Sequence, residues 1–215
     1  DTVEETETEF HIGAMTTLRT LETHEGLAAY TGGALRESVR HIVGVQLRNL
    51  ATLGGSLYSR FGFSDVLTMF LALDASVELF KGGVLPLSEY AEMKKDRDIL
   101  VRVIVPKKAG VRFDYRSVRP TKTDLPSLTC ASVREGEGCR FVIGSRPARI
   151  NSSIIRMTAD ASSFSIASAK RNRKLLPMRL PTTSSVPART CRRPSVPRVS
   201  IFRARRMVLR AIVGF

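Results

Sequence analysis

Apolar and polar residues alternate over several short stretches of the chain, and this alternation predicts strands. In the segment EFHIGAMTT, Phe10, Ile12 and Ala14 fall on one face, as expected for a strand with one buried side. Further strands are predicted at residues 75–80, 84–87, 98–106, 111–118, 127–134 and 139–144. The last three follow one another closely and are predicted to pair as an antiparallel sheet.

Other stretches repeat apolar residues at the spacing of a helix. Residues 25–43 place apolar side chains three and four positions apart and are predicted to contain a helix, with Gly32 and Gly33 at its start. The apolar run 66–73 is a second helix, for which Ser64 or Asp65 supplies an N-terminal cap. Strands and helices together predict an α+β fold.

Charge is distributed unevenly along the 215 residues. Of the 34 Lys and Arg residues, 17 lie in residues 1–137 together with 19 acidic residues, while the other 17 lie in residues 138–215 with one acid, Asp160. The net charge of +14 therefore belongs to the C-terminal part. After about Pro147 the sequence is rich in Ser, Arg and Pro and has no sustained periodicity, which is typical of disorder or of a basic arm.

Several classes of protein are disfavoured by composition. The three cysteines, Cys130, Cys139 and Cys191, form no CxxC pair and no Cys-His cluster, so neither zinc nor an iron–sulfur centre is expected on this chain. A sparse, odd number of cysteines fits a reducing cytoplasm. No apolar run approaches the roughly 18–20 residues that span a bilayer. The acidic opening has no features of a signal peptide, and the absence of an initiator Met suggests a fragment.

The stretch RNLATLGGSLYSR, residues 48–60, contains the adjacent pair Gly54 and Gly55. One interpretation is a tight turn, since glycine reaches positive φ without a Cβ clash. The other is a loop whose backbone approaches a ligand closely. Thr52 and Ser56 flank the pair with hydroxyl groups, and successive amides in such a loop form a nest for an anion. The spacing fits neither a Rossmann fingerprint nor a P-loop.

The order of motifs in residues 41–80 resembles the flavin-binding subunit, or middle domain, of the molybdenum hydroxylases. This family includes xanthine dehydrogenase, aldehyde oxidase and the aerobic carbon monoxide dehydrogenases. The residues that fit its pattern are Gln46, Arg48, Asn49, Ala51, Thr52, Gly54, Gly55, Leu57, Ser64 and Asp65. The resemblance extends over about residues 9–150.

The resemblance implies that FAD is the cofactor and assigns residues to it. Thr52, Leu53, Gly54, Gly55 and Ser56 would form a loop against the FAD, Asp65 would bind one of its polar groups, Leu100 would lie near the flavin and Arg116 would replace a cofactor-binding lysine. Ser56 stands where the family usually has Asn, and Arg116 keeps the charge of lysine but not its shape. No residue is identified as catalytic and none as a metal ligand.

By the same resemblance, residues 1–106 are the second half of a two-subdomain FAD-binding domain, built as an antiparallel sheet with helices. Residues 107–150 begin a small antiparallel C-terminal domain. The N-terminal subdomain, with its second Gly-Gly loop, is expected to be missing, which would weaken FAD binding. The expected partners are an iron–sulfur subunit, a molybdopterin-binding subunit and NAD or another electron acceptor, in the cytoplasm.

Besides neutral disorder, the basic segment, residues 151–215, leaves two hypotheses open. A non-enzymatic nucleic-acid-binding protein would use it to contact phosphates, although aromatic residues for base stacking are rare there. Alternatively, the segment reflects a shift of reading frame. Back-translated with GC-rich codons and read two nucleotides later, residues 174–191 give an Ala- and Asp-rich helix that ends in the family's Gly-Thr-Asn-Met motif. The encoding DNA would decide between them.

Overall fold

The computed structural model describes residues 1–94, 97–145, 153–157 and 164–167, of which the last two segments are described by backbone alone. These residues lie in one compact unit, Asp1–Leu176. Two five-stranded antiparallel sheets and seven short helices make up this described part. The α+β fold predicted from the alternating periodicities is confirmed.

The first sheet collects strands from distant parts of the chain in the order β1-β2-β5-β3-β4. Its strands are β1 Val3–Glu5, β2 Glu9–Gly13, β3 Ser76–Leu79, β4 Gly83–Pro86 and β5 Leu100–Pro106. Phe10 and Ile12 of β2 are fully buried and lie opposite Val105 and Val103 of β5, as their alternation predicts. The predicted face of this sheet therefore forms part of the core.

The second sheet has the order β10-β9-β8-β7-β6, in which each strand pairs with its neighbour along the chain. Its strands are β6 Val111–Val118, β7 Leu128–Glu135, β8 Gly138–Gly144, β9 Ser153–Met157 and β10 Phe164–Ala167. The first three confirm the predicted antiparallel strands. The last two extend the sheet into the basic segment, whose lack of periodicity did not predict strands. The remainder of that segment, with both hypotheses about it, lies outside the described residues.

Short helices connect and cover the sheets. They are α1 Leu18–Thr23, α2 Glu25–Thr31, α3 Ala34–Val39, α4 Val45–Leu50, α5 Leu53–Tyr58, α6 Asp65–Ala72 and α7 Leu87–Glu92. The longest, α6, buries every one of its residues and packs on β7 and β8, while α5 lies beside β5. Ser64 caps α6 by accepting from the Leu67 amide at 3.2 Å, as predicted.

The helix predicted within residues 25–43, with Gly32 and Gly33 at its start, is confirmed as α3, which Gly33 caps, whereas α2 in front of the two glycines was not predicted. Gly32 ends α2 in a left-handed conformation with φ of 57°, and Gly33 continues in the same region at 83° before α3 begins. Two consecutive left-handed residues reverse the chain direction, so the helical periodicity runs across a break. The second helix ends at Val39, and Val43 is exposed.

Candidate functional site

The start of α5 is fixed by hydrogen bonds to the turn that follows β2. The Leu53 amide donates to the Thr16 carbonyl at 2.9 Å, and the Gly54 amide donates to the Ala14 carbonyl at 2.8 Å. These bonds satisfy two of the amides that a helix leaves free at its N-terminus. The Gly-Gly pair is thereby anchored to the first sheet.

Gly54 has a structural reason to lack a side chain. A Cβ built on it would lie 2.8 Å from both the Cβ and the carbonyl oxygen of Ala14, which is closer than folded proteins allow. The close approach that the sequence suggested therefore exists at Gly54, but its partner is the chain itself. Neither Gly54 nor Gly55 is left-handed, so the turn interpretation is wrong. The expected loop is the first turn of α5.

The amides of residues 53–56 all donate within the chain. Besides Leu53 and Gly54, the Gly55 amide donates to Thr52 Oγ1 at 3.2 Å and the Ser56 amide donates to the Thr52 carbonyl at 3.1 Å. An anion nest requires amides that point at the ligand. The nest predicted for this segment is therefore not formed in the structure, and the segment does not fit a phosphate group.

Gly55 differs from its neighbour because it is exposed. A Cβ there would touch one atom closely, Thr52 Oγ1 at 3.2 Å, and would otherwise project outward. Packing within the described chain therefore does not require glycine at this position, and glycine weakens a helix by about 0.5–1 kcal/mol relative to alanine. The result is a patch of bare backbone, flanked by the half-buried hydroxyl-bearing residues Thr52 and Ser56. Such a patch fits the face or edge of a planar, largely neutral group.

Leu100, the first residue of β5, lies near the N-terminus of α5 because β5 and α5 are in contact. The carbonyl of its neighbour Val101 accepts from the Ala14 amide at 2.9 Å, and the Ala14 carbonyl accepts from Gly54. Leu100 itself is buried in the core and pairs with Leu79 in the sheet. The structure thus brings the predicted residues 52–56 and Leu100 together.

Asp65 lies at the start of α6 and makes its contacts elsewhere. Its Oδ1 accepts from the Tyr115 hydroxyl at 2.6 Å and from Arg119 Nη2 at 2.5 Å, and both charged side chains are more than nine-tenths buried. Burial, followed by the charge of Asp65, raises the pKa of Tyr115 well above its ordinary value. Arg119 also donates to the Asp124 carbonyl at 2.6 Å. This network joins α6 to β6 and to the loop after it.

Arg116 lies on β6, the edge strand of the second sheet, with about half of its side chain exposed. Its Nε donates to Asp114 Oδ2 at 2.9 Å on the same strand. Arg119 was not predicted, although it carries the buried charge of this region. The sequence held no local signal for it, because its partner Asp65 is 54 positions away.

The described residues contain neither a membrane-spanning helix nor a cluster of metal ligands. No helix in the described part of the chain is long and apolar enough to cross a membrane. Within the same residues, no group of three or more His, Cys, Asp or Glu side chains could hold a metal ion.

The chain is similar to proteins of known sequence and structure. It is 31% identical over 133 residues to the uncharacterized protein YgfM of Escherichia coli strain K12, a match that covers 61% of this chain and 49% of that protein. The chain therefore spans about half the length of the curated relatives it matches. The match to YgfM of Escherichia coli O157:H7 has the same extent.

Solved structures share its fold at low identity. Quinoline 2-oxidoreductase from Pseudomonas putida 86 matches with a TM-score of 0.61 and 19% identity, over 72% of this chain and 57% of that one. Carbon monoxide dehydrogenase from Hydrogenophaga pseudoflava matches with a TM-score of 0.61 and 20% identity, over 75% of this chain and 58% of that one. Carbon monoxide dehydrogenase from Oligotropha carboxidovorans matches with a TM-score of 0.59 and 22% identity, over 66% of this chain and 55% of that one.

The family described as the FAD binding domain in molybdopterin dehydrogenase matches residues 1–108, which is half of the chain. This match agrees with the order of motifs from Gln46 to Asp65 and with the α+β fold. The chain therefore belongs to the FAD-binding domains of the molybdenum hydroxylases, and its cofactor is FAD.

Proposed function

We propose that this chain is the flavin-side part of a molybdenum hydroxylase that transfers electrons from an iron–sulfur subunit, through FAD, to NAD or another acceptor. Substrate hydroxylation would take place on a separate molybdopterin-binding subunit in the cytoplasmic complex. The residues proposed to contact FAD are Thr52, Leu53, Gly54, Gly55, Ser56, Asp65, Leu100 and Arg116.

The observation that carries this proposal is the exposed Gly55. Because Gly55 has no Cβ, a ligand could contact the backbone of α5 directly at this position. The Gly55 amide already donates to Thr52 Oγ1. A neutral ring can lie against such a surface without leaving a buried amide unpaired. Phosphate binding is assigned to residues beyond the segment 52–56, because the amides of that segment are occupied.

The redox chemistry itself is supplied by FAD when it is bound, and the chain contributes position and electrostatics. The bonds from α5 to Ala14 and Thr16 would hold the bare surface in place against the first sheet. Asp65 would act mainly by fixing the start of α6, since Oδ1 already accepts from Tyr115 and Arg119. Arg116 would offer its charge from an exposed strand edge.

The test is FAD binding by this chain when it is joined to an N-terminal subdomain of the same family, the part that the resemblance leads us to expect in a complete FAD site. We expect a flavin absorbance spectrum from the purified protein, and we expect Gly55→Leu to reduce its FAD content by about tenfold or more, since its side chain would enter the proposed contact. The melting temperature of the apoprotein should change little, because position 55 is exposed.

Gly44→Leu is the matched control. Gly44 also stands at the start of a helix with ordinary φ, and its Cβ would meet the movable Gln46 side chain at 3.0 Å. This variant should retain its FAD. A colourless wild-type protein that does not respond to added FAD would overturn the proposal, and equal FAD content in both variants would remove Gly55 from the contact surface.

A further inference from the structure

Arg60 lies in the connection between α5 and α6 and is buried, with 5% of its surface exposed. Its Nη1 donates to the Met93 carbonyl at 2.8 Å. Its Nε and Nη2 are shielded from solvent and have no hydrogen-bond partner among the residues that the structure describes. Buried guanidinium donors are normally paired, since their desolvation is otherwise uncompensated.

The two unpaired nitrogens form one edge of the guanidinium. Nε and Nη2 present parallel N–H bonds on the same side of the planar group, the geometry that receives the two oxygens of a carboxylate. Arg48 provides a direct comparison, since it uses the same two atoms to hold Glu22, at 2.9 and 3.4 Å. Arg60 thus presents the same two donors as Arg48, but no carboxylate among the described residues accepts from them.

Aromatic rings restrict how a ligand can approach this edge. The guanidinium carbon lies 4.0 Å from the centroid of the Tyr90 ring, which covers one face, and 5.9 Å from that of Tyr58. A ligand must therefore arrive in the guanidinium plane. The adjacent Phe61 and Phe63 stack on each other and are 48% and 39% exposed, so a ligand that enters from this side would have to displace them.

The backbone at Arg60 also departs from its preferred conformation. Its φ is 51°, in the left-handed region that side chains other than Gly, Asn and Asp rarely adopt. Strain of this kind persists where the surrounding structure enforces it, often at binding sites. Here it accompanies a side chain that is directed into the protein instead of toward solvent.

We propose that Arg60 is a binding site for a carboxylate, which Nε and Nη2 hold through two parallel hydrogen bonds. A carboxylate carries one negative charge, which neutralises the one positive charge of the buried Arg60 guanidinium. A phosphate monoester carries close to two charges at neutral pH, and this edge has only two donors to offer it. The proposal does not depend on FAD binding, because it concerns the α5–α6 connection.

The experiment follows the Arg60 Nε–H resonance in the ¹⁵N-labelled 215-residue protein, identified by its loss in Arg60→Lys. Acetate and benzoate serve as small free acids, and a glutamate blocked at both termini represents a side chain of a partner protein. Sodium chloride at equal ionic strength is the control. Arg48 Nε is the internal reference, because Glu22 already occupies its edge.

We expect the Arg60 resonance to move saturably with at least one carboxylate while Arg48 Nε stays fixed. Calorimetric titration of wild type and Arg60→Lys with the same carboxylates and with inorganic phosphate should show binding at least about tenfold weaker in the variant, which retains the charge but loses the two parallel donors. Preference for the free acids identifies a small-molecule ligand, and preference for blocked glutamate identifies a protein partner. An unmoved resonance, an equal shift with chloride, or tighter binding of inorganic phosphate would overturn the proposal.

Discussion

Arg48 belongs to the Gln-x-Arg-Asn stretch that carries part of the family resemblance, and its side chain stabilises the fold. It is 5% exposed and binds Glu22 with two nitrogens, while Nη1 donates to the Ile42 carbonyl at 3.2 Å. Burial raises the pKa of Glu22, but hydrogen bonds and charges from Arg48 and Arg19 outweigh it and leave the pKa below its ordinary value. The pair connects α4 to α1.

Replacing this arginine tests whether the pair is structural. We expect Arg48→Met to lower the free energy of unfolding by about 3 kcal/mol, the low end of the cost of breaking a buried ion pair, because the buried Glu22 would keep only Arg19, whose side chain is 41% exposed. Urea denaturation measures the change. Arg40→Met is the control, since Arg40 pairs with Glu37 at an exposed site and such pairs contribute roughly 0–1 kcal/mol. Similar losses in the two variants would contradict the assignment.

Residue identities could be predicted from the sequence more readily than their contacts. Asp65 was recognised at the start of α6, but its contact with Arg119 was not. The two residues are 54 positions apart in the sequence, and no local pattern of residues predicts such a contact. Likewise, the sequence marked Gly54 as a place of close approach but not the atom approached, Ala14, which is 40 positions earlier. Whether these residues contact FAD remains a prediction.

At the scale of elements, the strands were predicted well and the helices less so. In strands such as β2 and β3, buried and half-buried residues alternate, so apolar residues recur at every second position of the sequence. The helices span six to eight residues, about two turns each, which is too short for their apolar periodicity to mark where each one begins and ends. That is why α2, in front of the glycine pair, was not predicted, and why residues 53–58 were taken for a loop.

Gly144 shows how closely α6 packs on the end of β8. A Cβ at Gly144 would collide with Thr129 Oγ1 and would lie 2.5 Å from Thr68 Oγ1 and 3.0 Å from the Gly62 carbonyl oxygen. The two threonine hydroxyls are buried and hydrogen-bonded to each other at 3.0 Å, so they cannot turn away without losing that bond. The strand and the helix therefore meet with no room for a methyl group.

We expect Gly144→Ala to destabilise the protein by about 1–3 kcal/mol, the usual cost of overpacking a core. Gly138→Ala is the matched control at the other end of β8, where the new Cβ would meet only the Glu135 carbonyl oxygen at an ordinary 3.4 Å. Thermal unfolding of both variants gives the comparison. A Gly144→Ala protein as stable as Gly138→Ala would contradict the packing described here.

For the described unit as a whole, a cluster of charges links the end of α6 to both the β5–β6 turn and β8. Asp74 accepts from Lys108 at 2.8 Å and pairs with Arg140, which also donates to the Ala72 carbonyl at 3.0 Å. Burial raises the pKa of Asp74, but the hydrogen bonds and charges of Arg140 and Lys108 outweigh it, so the pKa lies below its ordinary 3.8. The cluster should therefore make stability depend on pH.

A carboxylate whose pKa is lowered by folding stabilises the protein above its unfolded pKa and loses that contribution as the pH falls through the folded value. We expect Asp74→Asn to be about 1 kcal/mol less stable at neutral pH, a modest figure because more than a third of the carboxylate is exposed and solvent screens it. Asparagine also tolerates the left-handed backbone at position 74, where φ is 53°.

The difference between wild type and Asp74→Asn should shrink as the pH falls below about 4 and vanish once Asp74 is protonated in the folded protein. Urea denaturation at a series of pH values measures it. Asp114→Asn, which breaks an exposed pair with Arg116, is the control and should follow the wild type within about 0.5 kcal/mol. A deficit in Asp74→Asn that persisted unchanged into acid would mean that the substitution acts through packing instead of charge.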